Sequence, residues 1–232
     1  MRIRVALTPA EQLSAPIGVV IDVLRATTTI AQALAAGYRR VICTTEVDEA
    51  RAIAAQEGDC VLGGERNAVK IEGFRFGNSP TEYIGAPAAG TLIFSTTNGT
   101  PLLVAAAERC ETVLLGSLAT LAAVVVEIKA SGADDVVLLC AGVRGELSID
   151  DVYVAGRLAA ALGGDARDSA VAAMRLAASF PTALEGLECS QSGRNLHRAA
   201  LPQDIAWCAR ESHLDVVPRF ARMIGTAAEV TL

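Results

Sequence analysis

Nowhere in the 232 residues does an apolar run approach the length of about 18 needed to span a bilayer, so a membrane span is not expected. The opening MRIRVALTPAEQ lacks the apolar core of a signal peptide, which leads us to expect a cytoplasmic protein. Basic charge is short. The formal net charge is -6 and the pI is near 5.0, which offers nucleic acid no basic surface and requires local cations for any anionic ligand. The six cysteines (Cys43, Cys60, Cys110, Cys140, Cys189, Cys208) show none of the close pairing of zinc ligands, and reduced thiols are the default. His197 and His213 are the sole histidines and lack metal-ligand spacing, which favours surface or structural roles. The loop GxxxxGK[ST] is absent and no GxGxxG follows a strand, so those routes to nucleotide binding are unsupported.

What is present is a chain 52% hydrophobic, rich in short Ala, Val and Leu bursts. Apolar runs of strand length alternate with Ala-rich runs of helix length, the pattern of a largely parallel α/β sheet with flanking helices. The pattern predicts strands at 17–22, 40–44, 60–64, 91–95, 112–116 and 136–141. Helices are predicted at 28–36, 46–57, 99–108, 119–130, 150–162 and 167–178. The order strand, small polar turn, helix, strand, helix, strand runs from Ile17 to Glu65 and again from Thr91 to Gly145, an offset of roughly 70 to 75 residues. Two related βαβαβ half-units are therefore expected. Residues 1–86 form the first, with a long active-site loop, and 87–232 the second, with a mostly helical C-terminal tail; together they can also make one compact domain. The stretch 65–86 is too polar and Gly-rich for a core element and too long for an idle connection, and after about residue 180 the strand signals stop except for DVVPRF at 215–220. The helix at 119–130 has little polar face, which points to burial between lobes or to a homodimer interface.

In open parallel sheets ligands sit outside the carboxyl ends of the strands, so four segments should converge: DVLRATT from Asp22, GGERN at 63–67, STTNGT at 95–100 and CAGVRGELSIDD at 140–151. They carry Asp22, Arg25, Thr27, Thr28 and Thr29, then Glu65 and Arg66, then Ser95, Thr96, Thr97, Asn98 and Gly99, then Arg144, Glu146, Asp150 and Asp151. Hydroxyls and unpaired N–H groups at a helix start are what an oxyanion such as phosphate binds, although Thr28 and Asn98 can equally cap their helices. Carboxylates beside phosphate donors suit Mg2+, which takes one or two carboxylates plus substrate oxygens; Asp22, Glu65 and Asp150 are the candidate ligands. Asp150 and Asp151 can also simply favour a helix dipole, and Glu65 can pair with Arg66. Two phosphatase chemistries fail on spacing. Asp22 is followed by Val23 and Leu24, with no second Asp two positions on, and Cys140 has Glu146 where a cysteine phosphatase needs arginine. Cys140 reads as a small core residue.

VVIDVLRATTTI, GERN followed by GFRFGNSPTEY, STTNGT, CAGVRGELSIDD, and SQSGRNLHRAALPQDIAWC with VPRF together resemble the 2-phosphosulfolactate phosphatase family, in order and over nearly the whole chain. The resemblance implies an α/β fold with a cleft near the junction of its related parts. It also implies a Mg2+-dependent phosphatase that converts 2-phosphosulfolactate to sulfolactate and phosphate, a step of coenzyme M synthesis where that pathway exists. Ala68 departs from the pattern, standing where a glycine is expected. Such a substrate carries about four negative charges. Mg2+, Arg25, Arg66, Arg144 and Arg194 are the expected compensation, and Asn78 and Ser79 of the NSP run join the candidate substrate-binding residues. STTNGT can hold either the phosphoryl group or the sulfonate, and the phosphoryl group is the one expected. Asp22, Arg25, Asp150 and Asp151 are the candidate catalytic residues for in-line attack on phosphorus, by water or by a carboxylate. Two other readings stay open: a phosphatase for another small phosphorylated acid, and a non-catalytic anion-binding module, which would need the hydroxyl turns but not the carboxylates.

Overall fold

The computed structural model describes residues 1–85, 90–97 and 99–232. It is α/β, with one large, mostly parallel sheet flanked by helices. In chain order the elements are β1 (Arg2–Ala6), β2 (Ala15–Ile21), α1 (Ala26–Ala35), β3 (Arg40–Thr44), α2 (Val47–Gln56), β4 (Cys60–Arg66) and β5 (Val69–Lys70). A 3-10 turn at Pro80–Tyr83 precedes β6 (Thr91–Ser95), α3 (Gly99–Ala107), β7 (Cys110–Gly116), α4 (Leu121–Ser131), β8 (Asp135–Cys140), α5 (Ile149–Leu162), β9 (Asp165–Ala166) and α6 (Asp168–Ala178). The tail adds α7 (Ala183–Glu188), α8 (Gln191–Arg198), α9 (Pro202–Cys208), β10 (Arg219–Ile224) and β11 (Ala227–Thr231). The boundary expected between 86 and 87 lies outside the described residues.

The strand order is β5-β4-β6-β3-β11-β10-β7-β2-β8-β1-β9. Pairing is parallel within β4-β6-β3 and within β7-β2-β8-β1, and antiparallel on both sides of the β10–β11 hairpin. Exchanging β2 with β6, β3 with β7 and β4 with β8 reverses the order of the inner strands onto itself, with the hairpin at the centre. The internal echo is thus a pseudo-two-fold arrangement in which each unit places its first strand among the other unit's strands.

The inner strands β2, β6 and β8 are covered on both faces, so β2, APIGVVI, and β8, DVVLLC, are near-continuous apolar runs rather than alternating ones. On one face α1 and α3 bury Ile30, Leu34, Leu102 and Leu103 against Val20, Phe94 and Leu115. On the other, α4, α5 and α6 bury Val124, Val152, Leu158 and Ala173 against Val19, Leu114 and Leu138, while α2 covers Ile42 and Ile93.

Two readings of the sequence are corrected. The tail is not without strands: the hairpin lies at the middle of the sheet, running from 219 rather than ending at 220. Its charges hide it, because buried Glu229 is paired with Arg40 at 3.2 Å and Arg222 at 2.5 Å, which holds its carboxyl below the usual range despite burial. The stretch 65–86 does enter the core. Ile71, Phe74 and Tyr83 are buried, and the Tyr83 hydroxyl donates to the Gly77 carbonyl at 3.0 Å. The apolar α4 keeps Val126 exposed, although it buries Val124, Val125 and Ile128. Among the described residues no helix is long and apolar enough to cross a membrane.

Candidate active site

The four expected strand ends meet. A cavity of about 370 Å³ is lined by Asp22, Leu24 and Arg25 after β2, Glu65 at the end of β4, Thr96 and Thr97 after β6, and Val143 and Arg144 after β8. Asn67, Ala68 and Val69 of the β4–β5 turn, Asn78, and Ser192, Asn195, Leu196, Arg198 and Ala199 of the α8 region complete the wall. The cavity lies where equivalent strand ends of the two units face each other.

Asp22 is the carboxylate at the end of an apolar strand, and it is buried. Its Oδ1 accepts the Ala26 N–H at 3.2 Å, at the start of α1. Oδ2 has no hydrogen bond among the described residues and lies where a side chain at Gly99 would strike it, a Cβ there coming within 2.9 Å. Gly99, at the first turn of α3, is therefore glycine because the carboxylate occupies the space. Burial pushes the Asp22 carboxyl up to about 7, with the charges of Asp150 and Glu65 adding to it against the pull of the Ala26 amide and Arg25.

Glu65 is held at both oxygens: Oε1 accepts the Thr97 N–H at 3.1 Å and its hydroxyl at 3.0 Å, and Oε2 accepts the Ala68 N–H at 2.7 Å. This ties β4 to the β6 turn. Ala68 stands at φ 66 and Asn67 at φ 54, left-handed conformations that explain why a glycine would suit position 68. Arg25 is buried, its Nη1 2.6 Å from Asp204 Oδ2 on α9 and its Nη2 donating to the Ala68 carbonyl at 3.3 Å. Asn78 Oδ1 is buried without a partner among the described residues, on the cavity wall. A buried acceptor left open in a ligand cavity is suited to a ligand donor.

Other candidates go elsewhere. The Thr27 hydroxyl lies between the carbonyls of Asp22 at 2.9 Å and Gly116 at 2.8 Å, Thr28 donates to Val23 at 2.9 Å, and Thr29 to Asn78 at 2.9 Å. Their hydroxyls close the turn onto main-chain carbonyls instead of facing a ligand. Arg66 donates to the carbonyls of Glu65 and Thr45 and to Ser95 Oγ, and neither Arg66 nor Ser95 lines the cavity. Ser79 donates to Asp204 Oδ1 at 2.5 Å. Asp150 accepts from Ser148, whose hydroxyl also meets Ser192 at 3.2 Å. Asp151 accepts the Val23 and Gly142 N–H groups, each at 2.9 Å, and so pins the ends of β2 and β8 together from behind the cavity. Burial raises both carboxyls, that of Asp151 well above the usual range, with Asp150 and Asp22 adding to it. Arg194 folds back on the Cys189 carbonyl and Gln191 and lies outside the cavity; Arg198, one turn later, lines it. Cys140 is a core thiol pushed far up by burial beside Asp151 and Asp150. Asn98 lies outside the described residues. Among the described residues no three His, Cys, Asp or Glu side chains stand close enough to enclose a metal ion, so Asp22, Glu65 and Asp150 do not close into a cage.

Comparison with known proteins identifies the family. A sequence model described as 2-phosphosulpholactate phosphatase matches residues 3–222. The chain belongs to the 2-phosphosulfolactate phosphatase family. It is 36% identical over 233 residues, 98% of either chain, to a probable 2-phosphosulfolactate phosphatase of Thermus thermophilus. It is 38% identical over 225 residues to one of Symbiobacterium thermophilum, covering 93% of this chain and 96% of that one. With one of Deinococcus radiodurans it shares 35% over 223 residues, 94% and 92% of the two chains. The family is one of phosphoric monoester hydrolases.

Proposed function

We propose that the protein is a Mg2+-dependent phosphatase that hydrolyses 2-phosphosulfolactate to sulfolactate and phosphate, serving coenzyme M synthesis where that pathway exists, in the cytoplasm. The observation that carries the proposal is Asp22: a buried carboxylate with one free oxygen, pushed up to about 7, in a cavity whose nearest guanidinium is already paired with Asp204. Such a group calls for a cation. The donor set fits Mg2+, which keeps several waters and needs only one or two carboxylates. Asp22 would hold the ion, with the charges of Glu65 and Asp150 acting on the same carboxylate. When bound, Mg2+ supplies positive charge to the phosphoryl oxygens and lowers the repulsion met by an incoming nucleophile.

The chain's own groups do the rest. Arg25, fixed by Asp204 and the Ala68 carbonyl, presents its remaining N–H groups to a phosphoryl oxygen. The exposed Thr97, held by Glu65 beside the start of α3, adds a donor region where negative charge is favoured. Asn78 Oδ1 accepts from the attacking water. With Oδ1 fixed by the Ala26 N–H, Asp22 Oδ2 points a lone pair at a defined place, which orients whatever binds there.

The test is phosphate release from racemic 2-phosphosulfolactate with Mg2+ or with EDTA, beside phosphoenolpyruvate, phosphoglycolate and 4-nitrophenyl phosphate. Release that needs Mg2+ and favours 2-phosphosulfolactate is expected. Release from the other esters alone removes the substrate, release in EDTA removes the metal, and none at all removes the catalytic reading.

A further inference from the structure

We propose that Arg198, together with Arg144, binds the acidic group of the substrate remote from phosphorus and so makes the site selective for phosphate esters that carry a second strong anion. This rests on the proposed function and assigns its specificity.

The cavity carries both signs of charge. Its two carboxylates, Asp22 and Glu65, share the wall with three guanidiniums: Arg25 after β2, Arg144 after β8 and Arg198 of α8. Neither arginine makes an ion pair among the described residues, and the Arg198 side chain has a single hydrogen bond, 3.3 Å to Asn195 Oδ1. Arg25, the other guanidinium on the wall, is committed to Asp204 at 2.6 Å. A substrate with three acidic groups therefore needs further cations, and these two are the ones on the wall that no carboxylate satisfies.

Arg144 is held there by the backbone. It stands at φ 54 between Gly142 at φ 63 and Gly145 at φ 82, in a turn where the Val143 and Glu146 N–H groups each reach the other's carbonyl at 3.0 Å. A bulky residue kept in a left-handed conformation is disfavoured, which marks a position where the side chain's direction matters. Arg198 has a competing explanation, since a cation in the last turn of a helix complements its dipole. That role is indifferent to the cavity. Arg194, on the same helix, shows what it looks like: it bonds the Cys189 carbonyl and Gln191 and leaves the cavity alone. Arg198 instead shares the wall with Ser192, Asn195 and Leu196 of its own helix.

The experiment measures kcat/KM for 2-phosphosulfolactate and for 4-nitrophenyl phosphate, which lacks the second anion, in wild type, Arg198→Ala, Arg198→Lys and Arg194→Ala. A charged hydrogen bond lost from binding lowers the ratio of the two by about 10- to 100-fold in Arg198→Ala, chiefly through KM, with partial recovery in the lysine variant. Arg194→Ala shifts the ratio less than about twofold, within the range of surface changes. If wild type favours 2-phosphosulfolactate and Arg198→Ala keeps that preference, the subsite is wrong while the proposed function stands. If wild type releases phosphate from neither ester, the proposed function fails, and calorimetry with sulfolactate decides the subsite by itself: binding by wild type but not by Arg198→Ala keeps it, and no binding removes it.

Discussion

Replacing Asp22 with asparagine should abolish turnover and make the metal-free protein more stable. The carboxyl titrates at 3.8 in the unfolded chain and at about 7 in place. The folded state thus holds its proton longer, so Asp22 leaves stability untouched well below pH 4 and lowers it steadily as pH rises toward 7. At 1.36 kcal/mol per pKa unit, the full effect at pH 8 is roughly 4 kcal/mol; by pH 4 it has shrunk to below about 1 kcal/mol. Asparagine keeps the acceptor for the Ala26 N–H and has no charge to bury. Urea unfolding of metal-free wild type and Asp22→Asn at pH 4, 6 and 8, followed by the fluorescence of Trp207, should show the gap opening with pH. In thermal scans the largest gap corresponds to about 8–16 °C, at 2–4 °C per kcal/mol for a chain of this size. Mg2+ should narrow it by stabilising wild type alone. A variant no more stable than wild type at pH 8, or a gap independent of pH, would refute the reasoning.

Ala68→Gly relieves a left-handed alanine and should raise stability by about 0.5–1 kcal/mol, read as a higher urea midpoint; a lower midpoint would mean the turn is not strained at 68. Asp204→Ala leaves the Arg25 guanidinium buried and unpaired, a loss of about 3–5 kcal/mol in urea unfolding, whereas Asp204→Asn should lose less. If both lose under about 1 kcal/mol, the pair does not organise the site. Gly99→Ala brings a methyl to 2.9 Å from both Asp22 Oδ2 and the Ala26 Cβ, and kcat/KM should fall at least about tenfold for a displaced carboxylate. Unchanged kinetics would mean that α3 shifts freely.

The strand-end constellation was legible because a parallel sheet announces itself in apolar runs and its ligand side in whatever follows them. Asp22 ends such a run, and Glu65, Thr97 and Arg144 occupy the corresponding places. Hydrogen bonding decided what periodicity could not. Thr27 and Thr28 look like anion donors in one dimension, yet each hydroxyl closes onto a carbonyl within five residues. Arg194 and Arg198 are four apart on one helix, and only the fold distinguishes the one that turns inward. Asp204 reads as a first-turn acid of a short helix, with nothing to announce a partner 179 positions away. The central hairpin escaped notice because it carries Arg219 and Arg222 on its half-exposed first strand and Glu229 on its buried second one, a charge that such a strand accepts only with partners, here Arg40 and Arg222.

The exchange of first strands between the two units bears on how the chain can be made. β2 is among the earliest segments to leave the ribosome, but its neighbours β7 and β8 follow about a hundred residues later, and the hairpin between the halves is the last to emerge. Neither unit pairs its own strands, so β4-β6-β3 can close only after the second unit's first strand has emerged and β7-β2-β8-β1 only after β8 has, and the two half-sheets are joined last, by the hairpin. Such non-local pairing is slow to form and exposes unpaired edges meanwhile. A stop codon a dozen residues early therefore removes the seam itself, leaving two half-sheets with nothing between them.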